Sequence, residues 1–196
     1  MINPYPIVKG IVVTDLNDYI CDGDNNLITR YSDEITRKLD RAVLTDYIQR
    51  AVDENCLFVV GENTWNQMGG KLRGIVGNSR VVTNKEEARH LQDVIKYTDK
   101  TSTKVQLANY VFEVAIRRKM NIVVLGGKSV YESFAGHYSE LTHCRVKTDK
   151  VTDGKKISAK PDNLHNKEGH ELLFSPYANW FSPINNETYE IIVYGD

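Results

Sequence analysis

The stretch N-I-V-V-L-G-G-K-S-V-Y, Asn121 to Tyr131, decides the fold. Ile122, Val123 and Val124 are β-branched, and with Leu125 they read as a buried strand. Gly126 and Gly127 then turn the chain, and Lys128, Ser129 and Val130 lead into a helix expected over Val130 to Phe134. A strand that stops on two glycines and opens a helix makes an anion site, because backbone can approach a ligand and first-turn N–H groups point at it. A ligand-free strand–helix junction accounts for the same residues.

The same grammar recurs upstream. C-L-F-V-V, Cys56 to Val60, is a second buried strand, ending at Gly61 and followed by G-E-N-T-W, another strand–turn–helix. Past a glycine-rich turn (Gly69, Gly70, Gly74, Gly77), R-V-V-T-N, Arg80 to Asn84, is a third. Thr83 and Glu86 have capping-box spacing, which predicts a helix over Lys85 to Lys96. Thr103 and Gln106 repeat it before an amphipathic helix with Ala108, Val111, Phe112, Ala115 and Ile116 on one face. Nearer the N-terminus, Ile7 to Val13 is a strand candidate, and Asp15 to Asn26 is a polar, turn-rich loop around the apolar island Tyr19-Ile20-Cys21. Ser32 to Glu54 is helical by pattern: Ile35, Leu39, Ala42, Val43, Ile48, Ala51 and Val52 recur at helical spacing. The phase slips at Leu44-Thr45, predicting a break with Thr45 capping a second helix and Asp46 in its first turn. Downstream, Leu141 to Val151 reads as a strand and Lys155 to Gly169 as a basic surface loop. Glu171 to Phe174 and Tyr189 to Tyr194 are the final strands. Strands alternating with helices, then strands alone, predict an α/β fold with a mainly parallel sheet and an antiparallel C-terminal edge.

Composition narrows the function. A net charge of −1 over 196 residues gives no global field for nucleic acid or an acidic membrane, and the lysine-rich Lys147 to Lys167 region reads as a solvated loop. Cys21, Cys56 and Cys144 are too widely spaced for a disulfide framework or a paired metal motif. No apolar run reaches membrane-spanning length, so a cytoplasmic protein without metal is expected. Gly127-Lys128-Ser129 resembles the end of a phosphate-binding loop of nucleotide triphosphatases, but Ile122 stands where its leading glycine belongs.

Three segments in this order resemble dihydrofolate reductase: V-V-G-E-N-T-W (Val59 to Trp65), I-V-V-L-G-G-K-S-V-Y (Ile122 to Tyr131) and Y-E-I-I-V-Y (Tyr189 to Tyr194). The resemblance spans nearly the whole chain and implies one domain over 1–196: an eight-stranded twisted sheet flanked by helices. Residues from about 62 to 120 would form an adenosine-binding subdomain. NADPH would lie across the strand ends and pass a hydride to dihydrofolate, with a buried carboxylate assisting protonation. Carried over by position, Gly61, Asn63 and Thr64 would face the cofactor phosphates, and Thr83 and Asn84 the adenosine. Gly126, Gly127, Lys128, Ser129, Val130 and Tyr131 would hold the pyrophosphate and nicotinamide side. Val12, Val13 and Ile20 would line the nicotinamide–pterin junction, and Met68 the substrate tail; Val12 and Val13 also read as plain core.

The chain departs from the family at several positions. Glu62 stands where a basic residue usually meets the extra phosphate of NADPH, with Lys85 as the nearest compensation. The loop after the first strand lacks the family's Pro-Trp pair. L-R-G-I-V-G-N-S-R, Leu72 to Arg80, replaces the turn whose arginine holds the folate carboxylate, leaving Arg73 as a displaced substitute. By distance from Gly61 the catalytic acid is Asp46, with Asp33, Glu34 and Asp40 as alternatives, and Arg50 occupies the position of the family's aromatic ring. Two other readings follow: an inactive binding or regulatory protein on the reductase scaffold, or a reductase of another pterin or pyrimidine-type heterocycle, as in the riboflavin-pathway reductases.

Overall fold

Buried runs of β-branched residues set the centre of the molecule. In the computed structural model, which describes residues 5–77, 81–83, 94–96, 104–157, 165–166 and 187–195, those runs form adjacent strands of one sheet. In chain order the elements are β1 (Val8–Thr14), β2 (Tyr19–Asp22), a 3-10 turn (Ile28–Tyr31), α1 (Glu34–Asp53), β3 (Leu57–Val60), α2 (Glu62–Gln67) and α3 (Gly70–Gly77). There follow β4 (Val81–Thr83), β5 (Val94–Lys96), α4 (Lys104–Arg118), β6 (Ile122–Gly126), α5 (Lys128–Ser133), β7 (Glu140–Val146), β8 (Gly154–Lys156), β9 (His165–Asn166) and β10 (Tyr189–Gly195). The eight-stranded sheet has the order β5-β4-β3-β6-β1-β7-β10-β9. From β5 to β7 all neighbours run parallel; β10 lies antiparallel to β7, and β9 antiparallel to β10. β2 and β8 form a separate antiparallel pair.

Side chains alternate between two cores, as strand geometry requires. Ile11, Phe58, Val60, Val123, Leu125 and Cys144 pack under Val43 and Ile48 of α1, Trp65 of α2 and Leu72 and Val76 of α3. Val8, Val12, Leu57, Val59, Ile122 and Val124 pack on the other face, against Ala108, Val111 and Ala115 of α4 and Val130 of α5. Both faces are covered, so the central strands are apolar at every position.

Several local expectations are corrected. α1 is one continuous helix: Thr45 Oγ1 donates back to Arg41 O at 2.7 Å instead of capping, and Asp33 is the N-cap, accepting from Thr36 N. Asp46 therefore sits in mid-helix. The phase slip reflects an imperfect stripe, since Ile35 is 79% exposed and Ala42 is exposed too. The glycine-rich turn contains α3, anchored by Leu72 and Val76 at helical spacing. Val94–Lys96 is a strand where the capping pattern predicted helix. β7 ends at Val146, and β8 and β9 interrupt the expected basic loop. Ile116, placed on the apolar face of α4, is 47% exposed. Glu171 to Phe174, Asn84, Lys85 and Thr103 lie outside the described residues. Among the described residues, all three cysteines are free and buried, and no helix is long and apolar enough to cross a membrane.

Candidate active site

The glycines of β3 and β6 bring two strand–helix turns together. Gly61 N donates to Gly126 O at 2.5 Å. A Cβ on Gly61 would lie 3.1 Å from Gly127 N, and one on Gly127 would lie 3.3 Å from Thr64 Oγ1. These turns lead to opposite faces, α2 to the face of α1 and α5 to the face of α4. The Gly126–Gly127 peptide bond is cis.

A second feature opens a slot beside them. β1 and β6 pair only through Val8↔Ile122, Lys9↔Val123 and Gly10↔Val124. Past that point β1 continues with β7, through Thr14↔Arg145, and β6 continues with β3. The β3–β6 register shifts so that Val59 faces Val124 but Val60 faces Gly126. Such an irregularity bends a strand. The carbonyls next in line across the gap, Ile11 O and Leu125 O, both face the hydroxyl of Tyr131, at 2.8 and 3.0 Å. After β1 the chain proceeds to α1 on one face, and after β6 to α5 on the other. The gap is thus a switch point at the carboxyl ends of parallel strands, where open α/β sheets bind ligands.

The structure brings Gly61, Thr64, Gly126, Gly127, Val130 and Tyr131 to this crevice. Asn63 and Ser129 are exposed on the short helices beyond the turns, and Lys128 lies 3.8 Å from Glu132. The N–H groups of Val130 and Tyr131 both donate to Gly127 O. Val13 and Ile20 are half-buried at the end of β1 and in β2, whereas Val12 is 1% exposed within the second core. Met68 is buried against Trp65 and Leu72. Arg73 does not stand free for a ligand. Its Nε and Nη2 donate to Trp65 O and Asn66 O, closing the C-terminal end of α2. Thr83 ends β4, in the same parallel set.

Two carboxylates of α1 have opposite environments. Asp46 is half-exposed and accepts from Arg50 Nε at 2.7 Å. Asp40 is buried, accepts from the Tyr189 hydroxyl at 2.7 Å, and is pushed up to about 6, because burial outweighs the hydrogen bond that favours the anion. Tyr189 faces Val146 at the carboxyl end of β7, and its hydroxyl also adjoins Cys144, which is in register with Val13. Asp40 therefore lies at the same end of the sheet as the slot. Its burial was not legible from α1 alone, since the residues that enclose it come from β7 and β10.

On the opposite face, Thr14 Oγ1 and His143 Nε2 are 2.7 Å apart, and Thr14 Oγ1 also donates to Asp15 O. That donation makes the ring the donor through Nε2, leaving buried Nδ1 without a partner among the described residues. Burial first, and Arg145 second, push His143 down to about 3. Asp22 organises the loop after β1. It accepts from Tyr31 OH, Asn26 N and Asn26 Nδ2, and the Tyr31 hydrogen bond foremost lowers it to about 2.

These strands, turns and crevice define a mixed α/β protein with a dihydrofolate reductase-like fold. No protein-family model and no curated protein matches the sequence. Among solved structures, the chain is similar to a diaminohydroxyphosphoribosylaminopyrimidine deaminase/5-amino-6-(5-phosphoribosylamino)uracil reductase from Thermotoga maritima. The match has 15% identity and a TM-score of 0.55, and covers 97% of this chain and 56% of that one. The likeness is one of fold, and this chain spans little more than half of that protein.

Proposed function

We propose that this protein is a nicotinamide-dependent reductase of a pterin or pyrimidine-type heterocycle, with NADPH lying across the Gly61 and Gly126-Gly127 turns. The observation that supports the reading best is the slot held open between β1 and β6, beside two glycine turns through which backbone can reach a dinucleotide. The similar solved structure couples a deaminase to a reductase of a phosphoribosylamino-uracil, which favours a pyrimidine substrate over dihydrofolate. NADPH supplies the hydride when bound. The chain's own part is to seat the two rings, exclude water and hold a proton nearby. We assign the proton to Asp40, whose carboxyl, raised to about 6, is suited to hold one near neutral pH; Asp46 is already engaged by Arg50.

Consumption of NADPH, followed by absorbance with dihydrofolate and with a phosphoribosylamino-pyrimidine in turn, tests this. Asp40→Asn is expected to lower kcat by about 100-fold or more while leaving NADPH binding intact. Turnover lost in Asp46→Asn but kept in Asp40→Asn would return the role to Asp46. A second reading, a binding protein that retains the scaffold without the chemistry, is favoured by Asp46 and Arg73 being engaged within the chain. It predicts ligand binding without turnover on either substrate.

A further inference from the structure

We propose that Tyr189 is the positioning residue of the candidate acid: its hydroxyl fixes one oxygen of the Asp40 carboxyl and governs how tightly that carboxyl holds its proton. This rests on the proposed function, in which Asp40 carries the proton. Tyr189 is fully buried, and its hydroxyl donates to Asp40 Oδ1 at 2.7 Å. Among the described residues Asp40 Oδ2 makes no hydrogen bond, yet it is not sealed from solvent. The carboxyl is thus held by one oxygen and keeps the other for a ligand. No charged side chain takes part: burial and the Tyr189 hydrogen bond, in that order, are the influences on Asp40. The titratable groups that face it are Tyr189 from β10 and Cys144 from β7, and Val13 of β1, in register with Cys144, is apolar.

The main chain fixes where that hydroxyl stands. Tyr189 is in register with Val146, and Ile191 with Cys144, so Tyr189 and Cys144 are diagonal neighbours on one face of the β7–β10 pair. The Cys144 thiol and the Tyr189 hydroxyl are hydrogen-bonded. When Asp40 is ionised the hydroxyl proton is committed to it, so the thiol donates to the tyrosine oxygen. Thr36 and Asp40 share a face of α1, one turn apart. Beside the Tyr189 contact, Thr36 Oγ1 donates to Thr188 Oγ1 at 2.8 Å, and Lys147 N donates to Thr188 O at 2.8 Å. α1, β7 and β10 are therefore tied together at this point. Burial foremost, then Cys144 and Asp40, raises the Tyr189 hydroxyl far above the ordinary tyrosine value, so it remains a donor. A permanent neutral donor favours the carboxylate, whereas burial favours the acid. A group that must hold and then release a proton near neutrality requires such a balance.

The test is pH titration of the Asp40 carboxyl carbon by NMR on the full chain, assigned through Asp40→Asn, in wild type, Tyr189→Phe and Thr188→Val, with circular dichroism to establish folding. Tyr189→Phe removes a donor to the anion, so the protonation equilibrium should shift by about tenfold and the midpoint rise by about one pH unit. Thr188→Val breaks the neighbouring α1–β10 hydrogen bond and keeps the hydroxyl, so its midpoint should stay with wild type. In wild type the Tyr189 Cζ resonance should inflect at the Asp40 midpoint, a reading that does not need a variant to fold. An unmoved midpoint in Tyr189→Phe, an equal rise in Thr188→Val, or a flat Tyr189 resonance overturns the inference. The kcat for NADPH oxidation, with a phosphoribosylamino-pyrimidine as acceptor, should fall as pH rises through the midpoint, and about one pH unit higher in Tyr189→Phe. A moved midpoint with no turnover would sink the reductase reading and leave the hold of Tyr189 on Asp40 standing. Turnover with an unmoved midpoint would do the reverse. A moved midpoint with an unmoved kcat profile would remove Asp40 from the reaction, and Tyr189 with it.

Discussion

Replacing Gly126 with alanine is expected to lower the unfolding free energy by about 3 kcal/mol, the sum of a left-handed backbone penalty and an overpacking penalty. Gly126 has φ +103, a conformation that L side chains rarely adopt, and a Cβ there would lie 2.6–2.7 Å from the ring and hydroxyl of Tyr131. Tyr131 cannot step aside without giving up its contacts with Ile11 O and Leu125 O. Thermal unfolding should show a midpoint roughly 6–12 °C lower, and NADPH binding should weaken with it. Gly74→Ala gives the opposite sign. That glycine is interior to α3, and its Cβ would meet nothing within 4 Å, so alanine should stabilise by up to about 1 kcal/mol. If Gly126→Ala melts together with wild type, the slot is not held as described.

The second large effect is on pH. His143 is neutral and buried, down at about 3 against an ordinary 6.5, because burial disfavours its cation and Arg145 adds repulsion. The unfolded chain takes up a proton below 6.5 that the folded chain refuses until about 3. The stability His143 contributes is therefore present above pH 6.5 and lost as pH falls toward 3, by up to about 5 kcal/mol. Tyr194 stacks on the ring and Glu190 pairs with Arg145, but neither offers a partner to the buried Nδ1. Asp40 works in the opposite direction. Its carboxyl is raised to about 6 from 3.8, so the folded state is penalised, by up to about 3 kcal/mol, as pH rises from 3.8 through 6. The two trends partly cancel between pH 4 and 6, and single variants separate them. Urea unfolding at pH 7 and pH 3.5 should show wild type losing about 4 kcal/mol relative to His143→Gln, whose amide can still donate to Thr14. Asp40→Asn should uncover a rise in stability with pH between about 4 and 6, which Asp40 offsets in wild type. Parallel curves for wild type and His143→Gln would mean that the ring is solvated.

Much of the sheet was legible because its strands are buried on both faces: Leu57–Val60 and Ile122–Gly126 have no polar residue to confuse the pattern, and glycine ends each run. β5 was not, since three residues, Val94–Lys96, gain their strand character from pairing with β4 and carry no period of their own. The continuity of α1 was obscured for a related reason: Leu44 and Tyr47 pack against the core from off the main stripe, and a local phase count cannot see them. The glycine turns of the candidate site were readable one by one. Their mutual contact and the splay of β1 from β6 were not, because they depend on the pairing of strands far apart in the chain, β3 with β6 and β1 with β6. The same holds for Asp40, whose partner Tyr189 arrives from β10.

One consequence concerns the way such a site changes over time. Only one proton is available from the Tyr131 hydroxyl for the two carbonyls it faces, so it acts as a removable wedge rather than as a strand-to-strand tie. The hydroxyl stands where the two strands part, while the sheet below remains zipped at Gly10 and Val124. Ligand shape can accordingly be retuned at this one position without disturbing the hydrogen-bond ladder that gives the scaffold its cohesion. A fold with its aperture set in this way can exchange one flat ring for another through very few substitutions.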